Sequence, residues 1–182
     1  MVLMNGIVGG RASPLAWATR YGHEQVVKIQ LGREEVDPDE PNDYGQTSLS
    51  YAVGEGNEEV VKLLLGREDV NPDCPDNDGR TPFSYAAENG CAGVVKILLG
   101  REDVNPDCLD NDGRTPLSYA AWGRFSSMAK EYAGVVKLLL GRAEVNPERP
   151  DNGGRTPLSY ATDGGYKELV KILLEKRSTS ST

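Results

Sequence analysis

The sequence predicts an all-α solenoid of five helix-turn-helix units joined by hairpin-like loops. Three observations lead there. The stretch Gln46-Thr47-Ser48-Leu49-Ser50-Tyr51-Ala52 returns from Arg80, Arg114 and Arg155, with a weaker copy from Ala12, at spacings of 34, 34, 34 and 41 residues. Residues 46–79 and 80–113 are identical at 23 of 34 positions, so the period is the unit of construction. Within each period, helix-start and helix-stop residues bracket two short apolar stretches, neither of which can bury its face without a neighbouring unit.

The elements follow in order. Residues 1–11 are expected as a flexible lead-in, because Gly6-Ile7-Val8-Gly9-Gly10 lacks the spacing and the lysine of a phosphate loop. Units are expected over 12–45, 46–79, 80–113, 114–154 and 155–177, with a frayed tail over 178–182. Thr81-Pro82, Thr115-Pro116 and Thr156-Pro157 open the first helix of their units: the hydroxyl caps free N–H groups and proline at the first position loses nothing. Asn89-Gly90 stops that helix in unit three, since glycine accepts the left-handed conformation. A second helix over 92–99 ends at Gly100, and the polar, proline-blocked stretch from Arg101 to Asp107 leads to the turn Asp110-Asn111-Asp112-Gly113.

Unit four carries seven extra residues between Trp122 and Tyr132. Seven residues are about two helical turns, so a lengthened second helix, with Ser126 and Ser127 as caps and a turn across 123–125, keeps both faces in register. Tyr51, Tyr85, Tyr119 and Tyr160 share one repeat position, filled by Trp17 in unit one, and such a stripe is expected in the core. Tyr21, Tyr44, Tyr132 and Tyr166 fall outside it and are candidates for exposure.

Composition removes several functional classes. The chain has 182 residues and a net charge of −8, with 28 acidic residues against 20 basic ones, which disfavours nucleic acid. No window approaches the apolar length of a membrane span. The opening residues lack the basic start and long apolar run of a signal peptide. A soluble, cytoplasmic protein is expected, with the nucleus as the alternative compartment.

Thr-Pro-Leu at 115–117 and 156–158, Ala86-Ala87, Ala120-Ala121, Gly22-His23, Val-Val-Lys-Leu-Leu-Leu at 60–65 and 135–140, and Asp-Gly before the next unit resemble the ankyrin repeat. The near-identical units look like the ankyrin arrays of fungal multidomain proteins, which are often joined to nucleotide-binding signalling domains. Three departures stand out: serine or alanine replaces the family's histidine after Thr-Pro-Leu, the Gly-Arg-Glu-Asp-Val-Asn-Pro-Asp loop is long, and unit four is expanded. The resemblance implies a non-catalytic protein-protein interaction module that binds on its concave face and hairpin tips. The alternative is a structural spacer or regulatory array within a larger protein.

Catalytic and metal constellations do not assemble. His23, the only histidine, precedes Val27 where a zinc helix needs its second ligand, and is expected to cap or pack. A calcium-loop alignment of Asp73 to Gly79 puts Cys74 and Tyr85 at ligand positions, and both fail. Cys74 and Cys108 occupy equivalent positions one unit apart, too far for a disulfide. No enzyme activity, metal or cofactor is expected.

Positions that recur in every unit hold the stack, and positions that vary are free to recognise something. The variable end of the first helix, the hairpin tips and the insertion give a partner-binding set: Arg20, Tyr21, Tyr44, Glu55, Glu88, Asn89, Trp122, Arg124, Phe125 and Asp163. Gln46, Arg80, Arg114 and Arg155 stand just beyond the tips. Of the 28 acids, 19 lie in the inter-unit segments, which favours a basic protein partner for a monomeric array. Arg33, Arg67, Arg101 and Arg142, each two residues before an acid, are expected as a structural ladder.

Overall fold

A threonine or serine hydroxyl starts every first helix. The side chains of Ser13, Thr47, Thr81, Thr115 and Thr156 accept the amide N–H three residues on, at 3.1–3.4 Å. These caps launch α1 (Pro14–Arg20), α3 (Ser48–Gly54), α5 (Pro82–Glu88), α7 (Pro116–Trp122) and α9 (Pro157–Asp163). The antiparallel partners are α2 (Glu24–Leu31), α4 (Glu58–Leu65), α6 (Ala92–Leu99), α8 (Ala129–Leu140) and α10 (Lys167–Thr179). This computed structural model describes residues 12–179, so the expected lead-in and the last three tail residues lie outside the described residues.

First helices stack on first helices and second on second, giving two parallel layers in an all-α solenoid. The core runs unbroken between them. Leu15, Leu49, Phe83 and Leu117 of the first layer are at most 1% exposed, and Val27, Val61, Val95 and Val136 of the second are at 0%. α10 continues through Ser178 and Thr179, two residues into the expected tail, with the Ser178 hydroxyl donating to the Glu175 carbonyl at 2.8 Å.

The loops are bonded from unit to unit. Asn77, Asn111 and Asn152 each receive their backbone position from the preceding tip: their N–H groups donate to the carbonyls of Tyr44, Asp78 and Asp112 at 2.9 Å. Their amide side chains donate to Asp43, Asn77 and Asn111 carbonyls at 3.1 Å. Gly79 (φ +79°) lies beside this ladder, where a Cβ would stand 2.6 Å from the Asn111 side chain. Asn77, Asn111 and Asn152, at the hairpin tips, therefore help to hold the stack through both their backbone and side-chain N–H groups. On the other edge, Arg67 and Arg101 donate to the Leu31 and Leu65 carbonyls at 2.9 Å, satisfying the C-terminal end of the preceding second helix.

Three expectations need correction. Trp17, placed in the core by repeat position, is 49% exposed, because no described unit covers the outer side of α1. Tyr132, a candidate for exposure, is fully buried beneath the insertion. The insertion lengthens α8 to 12 residues from the usual 8 and adds a 3-10 turn over Ser126–Met128, with Phe125 and Met128, rather than the expected serines, at the N-cap positions of the two helices. Of the two roles expected for His23, it takes the second: it stands at the N-cap of α2 without a side-chain capping hydrogen bond and lies near Tyr21, ring centres 6.2 Å apart.

Candidate protein-binding surface

The face presented by the first-helix layer is built on one repeated triad. Asp76, Asp110 and Asp151 each use Oδ1 to cap two hairpin amides, at 2.8–2.9 Å. Each uses Oδ2 to accept a tyrosine hydroxyl nine residues later: Tyr85 at 2.5 Å, Tyr119 at 2.6 Å and Tyr160 at 2.5 Å. Burial first, and the neighbouring carboxylate second, push all three phenols above the usual tyrosine range, so they are neutral donors. Unit two runs the same device without charge: Asn42 caps with Oδ1 while its Nδ2 donates to Tyr51 and Gln46.

Arginines stack along this tyrosine row. The Arg80 guanidinium lies 4.2 Å from the Tyr85 ring centre and 4.6 Å from that of Tyr119, bridging units three and four. Arg155 sits 4.6 Å from the Tyr160 ring. Gln46, in the equivalent place, donates to the Tyr85 hydroxyl at 2.7 Å and is buried. These residues set the spacing of units and form the floor of the face.

Glu88 does not behave as a contact residue. It is 4% exposed, because Arg80 pairs with it closely from below and Arg124, from the insertion, reaches it at 3.5 Å. Arg124 keeps about half of its side chain in solvent (49%) and lies over the Phe125 ring at 5.6 Å. Trp122, at the last position of α7, is 45% exposed and tilts towards Tyr160, ring centres 6.4 Å apart. The chain leaves α7 through Gly123 in the left-handed region (φ +54°), where a Cβ would meet the Tyr166 ring at 2.7 Å. Tyr166 also donates its hydroxyl to the Gly123 carbonyl, so the base of the insertion is pinned while Trp122 and Arg124 project.

Those two side chains form a ridge between two clefts. One, about 460 Å³, lies between units three and four and is lined by Arg80, Glu88, Asp110, Arg114 and Tyr119. The other, about 320 Å³, lies between units four and five and is lined by Arg155, Tyr160, Asp163 and Tyr166. The structure thus brings Glu88, Trp122, Arg124 and Asp163 into one region. Phe125 is half-buried behind them, and Asn89 is turned back to the Tyr85 carbonyl at 3.0 Å. Arg20, Tyr21, Tyr44 and Glu55 stand at the other end. There Trp17 stacks on Tyr21 at 5.4 Å, and Arg20 lies 5.8 Å from the Tyr51 ring. Sequence reasoning set Arg80 beside the binding tips but missed Tyr119 and Trp17 as parts of this face, because their shared repeat position placed both in the core.

Among the described residues no three His, Cys, Asp or Glu side chains converge to hold a metal ion. No described helix is long and apolar enough to cross a membrane. Cys74, Cys91 and Cys108 are free thiols, and burial raises all three, Cys91 to about 11. A family model for ankyrin repeats in three copies matches residues 4–73 and 49–131, and one for the single ankyrin repeat matches 112–152 and 153–180. No curated protein matches the chain.

Proposed function

The chain belongs to the ankyrin repeat family, and on that premise we propose that it is a non-catalytic module that binds a partner protein across its first-helix face. The observation that carries this reading is the Trp122–Arg124 ridge. Both side chains are about half exposed, and they stand between two clefts on a base fixed by Tyr166 and Tyr132. Tryptophan and arginine are among the side chains that most often dominate binding energy, and here the two line both clefts. Tyr44, Glu55 and Asp163 are rim positions of the same surface, and the Trp17–Tyr21 stack with Arg20 is its second aromatic anchor.

The partner is basic and the array works as a monomer in the cytoplasm. The larger cleft sets four carboxylates, Asp78, Glu88, Asp110 and Asp112, against the guanidiniums of Arg80, Arg114 and Arg124. Together with a net charge of −8, this favours a lysine or arginine side chain of the partner lying on Trp122.

The test is comparative capture. The wild-type array and the Trp122→Ala variant are immobilised and challenged with the same extract. Proteins held by the first and lost by the second, with equal melting temperatures, support the reading. An array that holds nothing saturably is a spacer within a larger protein, and that outcome overturns it.

A further inference from the structure

Arg80 shows how this fold seats a guanidinium. The group lies 4.2 Å from the Tyr85 ring centre and 4.6 Å from that of Tyr119, and Glu88, eight residues later, supplies the carboxylate. The position eight residues on is filled differently in the later units: after Arg114 it is Trp122, and after Arg155 it is Asp163. Arg155 keeps the ring contact, 4.6 Å from the Tyr160 centre, but turns Nε and Nη2 to the Asp151 carboxylate, each at 3.2 Å. Asp163 is one methylene shorter than Glu88 and stands exposed at the last position of α9. Its carboxylate makes no hydrogen bond or ion pair with any described residue.

Asp163 and Trp122 line the cleft of about 320 Å³ between units four and five, together with Tyr160 and Tyr166. These are the parts of the Arg80 seat, with the chain's own arginine turned away from the carboxylate. The two cations at the rim do not cancel Asp163, because Arg155 is matched by Asp151 and Arg124 reaches Glu88 at 3.5 Å. Asp163 also closes α9, where the last carbonyls of the helix favour positive charge. In the larger cleft most carboxylates are engaged. Glu88 is held by Arg80 and Arg124, Asp110 by the Tyr119 hydroxyl, and Asp112 by Arg114 at 2.9 Å. Asp78 remains, exposed at a hairpin tip.

We propose that the cleft between units four and five is the seat for an arginine side chain of the partner protein, stacked on Trp122 and paired with Asp163. This rests on the first-helix face being the binding surface, and it names the side chain that the surface selects. Arginine fits better than lysine, since its planar fork stacks on an aromatic face and meets both oxygens of a carboxylate. Asp163 is then the specificity-determining residue of the face, and Trp122 is the wall against which the guanidinium lies.

The experiment is an NMR titration of the full chain with the peptide N-acetyl-Gly-Arg-Gly-amide, and with its lysine and citrulline versions. The arginine peptide is expected to shift the Trp122 indole N–H and the Gly164 amide saturably, the lysine peptide to bind several-fold more weakly, and neutral citrulline to do nothing. Asp163→Asn, at an exposed and unpaired site, keeps the melting temperature and weakens the arginine peptide roughly tenfold. The absence of a saturable shift at Trp122, an unchanged affinity in Asp163→Asn, or a lysine response equal to that of arginine overturns the proposal. So do shifts centred on Asp78 and Asn111, which would move the seat to the larger cleft. A silent peptide titration beside partner capture that Trp122→Ala abolishes removes the arginine seat alone and leaves the binding face standing.

Discussion

Asn42 donates its side-chain amide to the Tyr51 hydroxyl at 2.6 Å, whereas one layer on Asp76 accepts from the Tyr85 hydroxyl. The residue four positions later changes in step. Gln46 accompanies Asn42, while Arg80, Arg114 and Arg155 accompany Asp76, Asp110 and Asp151. A neutral pair has replaced a charged pair at the same place in the fold, with the hairpin cap on Oδ1 kept in both.

The first prediction follows from that paired exchange. Asp110→Asn keeps the cap on the Asp112 and Arg114 amides but takes away the carboxylate that Arg114 faces at 3.8 Å and that accepts from Tyr119. It is expected to cost about 1–2 kcal/mol. Arg114→Gln in that background recreates the chemistry of unit two and restores part of the loss, with a coupling of about 0.5–2 kcal/mol across the double-mutant cycle. Urea unfolding of the four proteins measures it, and strict additivity would show that the two positions change independently.

The second prediction concerns Glu88. Its carboxylate is nearly enclosed, so Glu88→Gln leaves the Arg80 guanidinium between two tyrosine rings without its counter-charge. Breaking such a pair from one side is expected to cost about 2–3 kcal/mol, the lower part of the buried range, because Arg80 keeps some contact with water. Arg124→Gln, by contrast, removes a half-exposed, longer contact and is expected to cost under about 1 kcal/mol. Equal losses in the two variants would sink this ranking.

The third prediction is a pH dependence. Asp39, Asp73 and Asp107 form a column at the base of the loops, and burial raises each above the usual aspartate range, only partly offset by an amide N–H from the next loop and, at Asp107, first of all by the Arg149 guanidinium. In Asp73 the Oδ1 atom is buried without a hydrogen-bond partner. A raised folded-state pKa means that the fold binds the proton more tightly than the unfolded chain does. The associated stability is complete below the unfolded value of about 4 and is lost as pH rises through the folded value. Asp73→Asn removes the charge and keeps an acceptor for Asn105. Its stability relative to wild type is expected to be highest at neutral pH and to shrink as pH falls towards 4. Denaturation midpoints across that range give the answer, and a pH-independent difference would refute the assignment.

What was legible in the sequence is what each unit states alone. The Ser/Thr caps, the glycine stops, the helix pair and the period all rest on contacts within a few residues, and they stand where the residues put them. What was hidden depends on partners one unit away or more. Glu88 varies between units and so looks like surface, but Arg80, eight positions earlier, and Arg124, 36 positions on in the one segment without a counterpart, both pair with it and enclose it. The tip asparagines recur, which is the mark of framework, yet their place at the hairpin tips put them with the binding surface that the family resemblance implies. Tyr132 occupies the repeat position of Cys91, and only the extra turn of α8 and the Met128 side chain explain why a tyrosine there is sealed off.

The last prediction separates the two roles of the insertion. Its residues divide by direction: Tyr132 and Met128 pack into the core, while Trp122 and Arg124 face outward. Trp122 keeps 45% of its surface exposed and touches the stack chiefly through Tyr160. Trp122→Ala therefore sheds little buried area, and a loss below about 1 kcal/mol is expected. Tyr132→Ala empties a fully enclosed aromatic site under the same segment, and about 3–5 kcal/mol is expected. Gly123→Ala forces a left-handed residue and a contact with the Tyr166 ring, so it perturbs the ridge without touching Trp122 itself. If the ridge is a binding element, Trp122→Ala abolishes partner capture at unchanged melting temperature, and Gly123→Ala weakens capture by tilting the same side chain. Adding Phe125→Ala, which is half-buried, then lowers stability without further loss of binding. A steep fall in melting temperature for Trp122→Ala alone would mean that the tryptophan merely roofs its own insertion, and the search for the contact surface would move to the Trp17–Tyr21 stack at the other end.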